Sequence, residues 1–239
     1  MALVLENGVW KLQADSGGAT APSVSPDLAT NIADAISSPP SNATWLNGGN
    51  LTSAAVASNQ LDAVHGTTNT NFHTLRNAPF LYYRVERDPY YPTVITARVR
   101  SNADASAEIA GLAITEDADA YSTDFVSVGC RGGDTNFLSR GKGAFHQWSS
   151  GVDPAATTWF RFILEQDLVR VCAVQSGDAS PPTTGWVFDQ SLYKDFGTSL
   201  GQLLSTNTLR CGFWIASGNT SGNFEAALSY LDISGCRLL

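Results

Sequence analysis

The chain of 239 residues reads as an all-β protein, an antiparallel β-sandwich with a small N-terminal arm. Two observations predict this. Short apolar, β-branched runs recur from Ser41 to the C-terminus, and polar turns rich in Gly, Asn, Ser and Asp separate them. That pattern signals a sandwich or barrel. A composition of 43% hydrophobic residues supplies a core for one large domain.

The first 40 residues differ from the rest. Leu3 to Leu12 carries Asn7-Gly8 between apolar flanks, the strongest short hairpin signal. Ala14 to Ala19 is a flexible stretch. Ser25-Pro26-Asp27 reads as an N-cap, a first-turn proline and a first-turn acid. Leu28, Ile32 and Ile36 follow at helical spacing, so the spacing predicts a short helix that ends at Pro39-Pro40. A hairpin and one helix bury too little to fold alone. Residues 1–40 are therefore expected to pack on the sandwich or to dock on another subunit, and residues 41–239 to form the sandwich.

Strands are expected over Thr93–Arg100, Glu108–Ile114, Phe125–Cys130, Leu209–Ala216 and Phe224–Ile233. Trp159–Leu164 and Leu168–Val174 flank Glu165-Gln166-Asp167 and read as a hairpin. A short helix or 3₁₀ turn is expected near Leu192 to Leu204.

Charged residues make up only 15%, and the net charge is −8. The lysines are Lys11, Lys142 and Lys194 alone. Without a basic stripe, such a chain repels phosphate backbones and anionic lipid, so neither nucleic acid nor membrane is an expected partner. No apolar run approaches the ~20 residues that span a bilayer. The first residues lack the basic start of a signal peptide. Cys130, Cys172, Cys211 and Cys236 form no C-x-x-C pair and stand apart from the histidines in sequence, which disfavours zinc. Buried free thiols are the expectation, with Cys130 or Cys211 bridged to Cys236 as the alternative.

The order of strands and loops resembles the concanavalin A-like lectin/glucanase superfamily, in particular its laminin G-like and β-xylosidase-associated domains. Asn77 to Val85 is similar to the family's "aromatic, Ala-Pro, apolar" entry strand. Thr93 to Arg100 looks like its long central strand, and Ala110 to Ile114, with the acidic turn after it, like another. Thr158 to Phe162 resembles the "tWlRl" strand. Gln175-Ser176-Gly177-Asp178 with Gly185-Trp186 resembles the "S-x-D-G-x-x-W" turn, Cys211 to Trp214 the "vGl" strand, and Phe224 to Ile233 the closing strand. The resemblance implies a jelly roll of two curved antiparallel sheets, with glycans bound on the concave face or at its rim. It also implies that some relatives hydrolyse glycans, so a glycan-degrading enzyme or its accessory domain is the alternative function.

Hydrolytic members carry Glu-x-Asp-x-x-Glu on one strand face. The near match, Glu165-Gln166-Asp167, has Arg170 where the third acid belongs and lies at a turn. Glu108 and Glu225 have no acidic partner two or four residues on, and no G-x-S-x-G elbow occurs. A non-catalytic binding module is therefore the expectation. Sugar rings need flat aromatic faces, and their hydroxyls need planar polar groups. Trp148 and Trp186 lie in turn-rich contexts, and Trp214 faces away from Cys211, Phe213 and Ile215. Arg161 and Arg170 interrupt apolar runs on adjacent strands, and His146 lies near Trp148. These six are the expected ligand-binding residues, for a glycan or cell-surface polysaccharide. Glu116, Asp117, Asp119 and Asp124 form an acidic cluster, a candidate calcium site by donor type, without EF-hand spacing. No other cofactor is expected. The low-lysine, Ser/Thr/Asn-rich composition and the arm also suit a phage or virus surface protein, folded without a signal peptide and held to its particle through residues 1–40.

Overall fold

A computed structural model of the chain describes residues 2–6, 9–13, 23–70, 77–88, 90–104, 107–116, 125–132, 136–141, 144–149, 153, 155–165, 168–186, 188–193, 206–218 and 224–239. Along 2–6, 9–13, 136–141, 144–149 and 188–193 it describes the backbone alone. In chain order the strands are β1 (Ala2–Glu6), β2 (Val9–Gln13), β3 (Ser23–Val24), β4 (Thr44–Leu46), β5 (Leu51–Ala57) and β6 (Gln60–His65). Then come β7 (Phe80–Arg87), β8 (Thr93–Ser101), β9 (Glu108–Glu116), β10 (Phe125–Arg131), β11 (Asn136–Gly141) and β12 (Ala144–Ser149). The last six are β13 (Thr158–Leu164), β14 (Leu168–Gln175), β15 (Phe188–Tyr193), β16 (Thr208–Ser217), β17 (Glu225–Ser234) and β18 (Cys236–Leu238).

Two eight-stranded antiparallel sheets form the body. Sheet I runs β15-β14-β13-β8-β17-β6-β5, and β3 shares the β6 side of β17. Sheet II runs β12-β11-β10-β9-β16-β7-β18, and β4 shares the outer edge of β7 with β18. The sandwich expected from the sequence is therefore present, and each run named above as a strand is one, with ends shifted by at most three residues.

One face of each sheet meets the other. Phe160, Phe162, Leu164, Val169 and Val171 of sheet I join Leu112, Ile114, Val128, Cys211 and Phe213 of sheet II in a single core. At about 1.5–3 kcal/mol for each large apolar side chain removed from water, this layer dominates the folding free energy. The far face of sheet II carries a second buried apolar cluster, Phe80, Ile109, Phe125 and Trp214, with Arg84, Arg131 and Arg210 on the same face. The far face of sheet I carries Thr96, Arg98, Arg100, Arg161 and Arg170.

Strand β17 has a bulge between Leu228 and Tyr230. The extra residue re-phases the strand. Ala226 and Leu228 before it, and Leu231 and Ile233 after it, are buried in the core. Tyr230 and Asp232 consequently stand on the far face. Gly235 turns the chain into β18 at φ +71°, where an added Cβ would lie 2.1 Å from the Pro92 carbonyl oxygen.

Residues 28–36 are not helical, which corrects the helix expected in the arm. Asp27 Oδ1 accepts the Ala29 and Thr30 N–H groups, and Asp34 Oδ1 accepts those of Ile36 and Ser37. These local turns compete with helix. The Thr30 hydroxyl and then these N–H groups hold the Asp27 carboxyl below its ordinary range. Ile32 exchanges backbone hydrogen bonds with Val56, and the Ala35 N–H donates to Ala54, so the stretch runs along β5. Leu28 and Ala35 are buried in the main core. The β1–β2 hairpin has the expected register, with Glu6 opposite Val9. Of the turn expected near Leu192 to Leu204, Leu192 and Tyr193 belong to β15 and residues 194–205 lie outside the described residues.

A buried polar latch closes one end of the sandwich. His65 is fully buried, with Nδ1 2.8 Å from the Gly66 carbonyl oxygen and Nε2 2.8 Å from Thr70 Oγ1. Thr70 Oγ1 also accepts the Ser217 N–H at 2.8 Å. The arrangement fits a neutral imidazole that donates from Nδ1 to Gly66 and accepts the Thr70 hydroxyl at Nε2. Burial lowers the His65 pKa. The unfolded chain thus takes up a proton as pH falls through about 6.5, and the folded chain resists it. The stability owed to His65 is present above that pH and is lost as pH drops through the folded value. Denaturant titrations at pH 7.5 and 5.5 are expected to show a loss of stability at the lower pH that His65→Gln reduces. An equal loss in both proteins would show that His65 is not responsible.

Candidate functional site

Five strands whose registers are fixed build this part of the far face of sheet I. Arg161 on β13 pairs with Cys172 on β14 and with Thr96 on β8, and Thr96 pairs with Asp232 on β17. The next row holds Val174, Trp159, Arg98 and Tyr230. The row beyond holds Arg100, Ala227 and Asp62 of β6. Alternation along each strand sends these residues to one face, because their neighbours Phe160, Ala97, Val99 and Val171 fill the core.

The segment 175–186, which follows β14, lies on this face. Asp178 accepts the Ser176 hydroxyl at 2.7 Å, tightening the turn. The Trp159 indole N–H donates to the Asp178 carbonyl oxygen at 3.3 Å, and Arg98 Nη2 donates to Gly177 O at 3.1 Å. Trp159 is left with no exposed surface and packs 5.1 Å from the Tyr230 ring. The segment then brings Trp186 against Arg161, whose guanidinium carbon lies 4.4 Å from the ring centroid. Arg161 Nε donates to Thr96 Oγ1 at 3.1 Å. Partial burial lowers the Arg161 pKa, but an arginine stays cationic. Burial, and then Asp232, raise the Tyr230 pKa, so the phenol stays neutral. Asp232 accepts the Ser25 hydroxyl at 3.0 Å. The Trp186 indole N–H is buried without a partner, leaving a donor unmet at a cost of about 1–3 kcal/mol.

Beside this cluster, on the same face, lies a cleft of ≈ 460 Å³. Ala226 and Ala227 line its floor, and Gln60, Asp62, Arg100, Asn102 and Glu225 stand around it. Four small alanines, counting Ala63 and Ala155, leave the space that larger side chains would fill.

Of the residues expected to bind ligand, Arg161 and Trp186 come together here. Arg170 pairs with Ile163 two positions along β13, so it shares the face. Trp214 does not join them. It is 1% exposed, inside the second cluster on sheet II, and has no surface to offer a ligand. Trp148 and His146 lie on β12, the edge of sheet II, in register with Phe137 and Ser139, and their side chains lie outside the described residues. Glu116 ends β9, half-buried, while Asp117, Asp119 and Asp124 lie outside the described residues.

The glutamates do not pair. Glu165 follows Leu164, which is opposite Thr93, whereas Glu225 adjoins Ala226, which is opposite Ser101. The length of β8 separates them, about 26 Å. Glu108 is buried on sheet II and accepts the Asp104 N–H. Asp62 and Asp232 stand one strand and four residues apart, about 14 Å. Glycoside hydrolysis uses carboxyls roughly 5–9.5 Å apart, which neither of these two pairs provides; Asp62 and Glu225, two positions apart on adjacent strands at the cleft, lie about 8 Å apart at Cα. The four cysteines are buried and unbridged. Burial pushes Cys130 and Cys236 up to about 12 and Cys211 well above its ordinary value, so these thiols are not nucleophiles near neutrality.

Sequence reasoning missed Tyr230, Asp232, Thr96, Arg98, Arg100 and Asp62. Arg98 and Arg100 were legible as a two-residue period facing away from Ala97 and Val99. Tyr230 and Asp232 were not, because the bulge breaks the period that would place them.

No family model matches the chain, and no curated protein matches it in sequence. Solved structures do match. A Saccharomyces cerevisiae protein of unknown function superposes with a TM-score of 0.55 at 14% identity, over 83% of this chain and 96% of that one. The lectin UEA-II in complex with galactose gives 0.54 at 11% identity, over 90% and 99%. A GH43 protein from Bacillus licheniformis gives 0.52 at 14% identity over 73% of this chain, which spans only 33% of that protein. At such identities the likeness is one of fold. The chain shares the β-sandwich fold of these proteins.

The Arg161–Trp186 stack is open to test. Arg161→Met keeps the stem and removes the cation. It is expected to cost about 0.5–2 kcal/mol and to shift tryptophan emission to the red as Trp186 loosens. An unchanged spectrum and melting temperature would show the stack to be idle.

Proposed function

We propose that this protein is a non-catalytic carbohydrate-binding module whose platform is the far face of sheet I. One observation carries the reading: Trp186, stacked on Arg161, shares this face with Thr96, Asp232 and Tyr230 and with a cleft lined by Asp62, Arg100 and Glu225. Aromatic surface suits the apolar C–H face of a sugar ring, and fixed guanidinium, hydroxyl and carboxylate groups suit its hydroxyls. The likeness in fold to a lectin solved with galactose supports the reading. Titrating the full chain with a panel of neutral and acidic polysaccharides, followed by tryptophan emission and calorimetry, tests it. Saturable binding is expected, weakened at least about tenfold (about 1.4 kcal/mol) by Trp186→Ala. Absence of binding across the panel, or unaltered affinity in a folded Trp186→Ala variant, would overturn the assignment.

A second role rests on the β1–β2 hairpin, which forms a two-stranded sheet of its own. A lone hairpin is marginal in water, so it gains by docking. In this reading the hairpin anchors the module to a structural partner or a second copy, as on a phage or virus particle, and sheet I faces outward. Deleting residues 2–13 is expected to leave the melting temperature unchanged and to abolish retention on the host assembly. A truncated chain retained as well as the full one removes this role.

A further inference from the structure

The far face of sheet I concentrates cations in an acidic protein. Arg170 on β14, Arg161 on β13, and Arg98 and Arg100 on β8 descend the face in a diagonal, row by row. The chain has a net charge of −8 and only 14 Lys and Arg, and four of these stand on this one face.

None of Arg98, Arg100 and Arg161 is paired with a carboxylate among the described residues. Arg161 binds the Thr96 hydroxyl and the Trp186 ring, and Arg98 binds Gly177 O and the Ser229 hydroxyl. Arg98 Nε is buried with no partner. Arg100 is exposed on the wall of the cleft. The acids nearby are occupied by neutral donors instead. Asp62 accepts the Gln60 amide, Asp232 the Ser25 hydroxyl and Asp178 the Ser176 hydroxyl. Glu225, on the rim of the cleft, is exposed. Across the sheet the charges are sorted: arginines lie on β14, β13 and β8, and aspartates on β17 and β6.

We propose that the ligand of this face is a carboxylated polysaccharide, a uronate chain laid across the strands from Arg161 to Arg100. This rests on the carbohydrate-binding reading and names the class of sugar. The planar guanidinium fork matches a carboxylate with two parallel hydrogen bonds. Arg161 and Arg100 stand about 14 Å apart at Cα, so together they address charges on different rings of one chain. Asp62, Asp232 and Tyr230 face the other side of that path and accept sugar hydroxyls. A uronate unit carries both groups, a carboxylate for the arginines and hydroxyl donors for the aspartates. The net negative protein repels the polymer at a distance. Attraction is therefore local and sensitive to salt, since screening sets in beyond about 8 Å at physiological ionic strength.

The experiment compares polygalacturonate, alginate and hyaluronan with their methyl-esterified forms, which keep the backbone and lose the charge. Affinity for the full chain is read by calorimetry at 50 and 200 mM salt. At least one acid form is expected to bind about tenfold or more tighter than its ester, and to weaken at the higher salt. Arg100→Gln, an exposed change that spares the core, is expected to weaken the acid form roughly three- to tenfold and leave the ester unaffected. Equal affinity for acid and ester, or an Arg100→Gln variant indistinguishable from the parent, would overturn the charge class. Neutral glycans that still bound would then keep the broader carbohydrate-binding reading alive. Failure of every glycan, neutral and acidic, would remove both.

Discussion

Everything in this fold follows from the burial of one face of each sheet against the other. The inward rows of β8, β13, β14, β9, β10 and β16 leave no room for polar groups except those that are satisfied locally, such as the His65–Thr70–Ser217 latch. Because side chains alternate along a strand, a core of this kind consumes half of every strand and leaves the other half uncommitted. The two sheets use that second half differently. Sheet II buries part of it around Trp214 and Phe80 and sets Arg84, Arg131 and Arg210 beside that cluster, whereas sheet I lines it with arginines, hydroxyls and aromatics.

The site is therefore not carried by loops alone. Its cations come from mid-strand positions whose backbone is held on both sides by ladder hydrogen bonds, which fixes their spacing. The loop's part is narrower. Segment 175–186 covers Trp159 and places Trp186, and it is fastened by two side chains of the sheet, Trp159 and Arg98. Arg98 thus serves as an anchor more than as a contact, while Arg161 and Arg100 keep their charge toward the outside. Rigid cations and a pinned aromatic reduce the ordering cost of binding.

Much of the architecture was legible in the sequence because buried strands announce themselves. The runs from Thr93, Glu108, Phe125, Trp159, Leu168, Leu209 and Phe224 are apolar and β-branched, and each forms a strand. The β5–β6 hairpin escaped notice for a physical reason. Its turn is Ser58-Asn59, both at positive φ, a conformation usually flagged by glycine. The helical stripe of Leu28, Ile32 and Ile36 misled because edge pairing with β5 took up the N–H of Ile32, and Asp27 and Asp34 capped single turns. At the site, Arg161, Arg170 and Trp186 were readable as polar or aromatic interruptions of apolar or turn-rich runs. Trp214 looked the same, yet its far side is apolar too, and one strand's alternation cannot reveal what covers a second face.

The bulge in β17 ties core and site into one reading frame. Upstream of it, even-numbered residues point inward, and downstream odd-numbered ones do. Removing a single residue there would do more than delete a contact. It would turn Leu231 and Ile233 to the solvent and drive a phenol and a carboxylate between the sheets. The strand cannot drift toward a regular ladder by small steps, since every intermediate exposes part of its hydrophobic layer. An irregularity of one residue therefore behaves as a lock: selection that preserves the fold also preserves the position of Tyr230 and Asp232, whether or not their ligand is present.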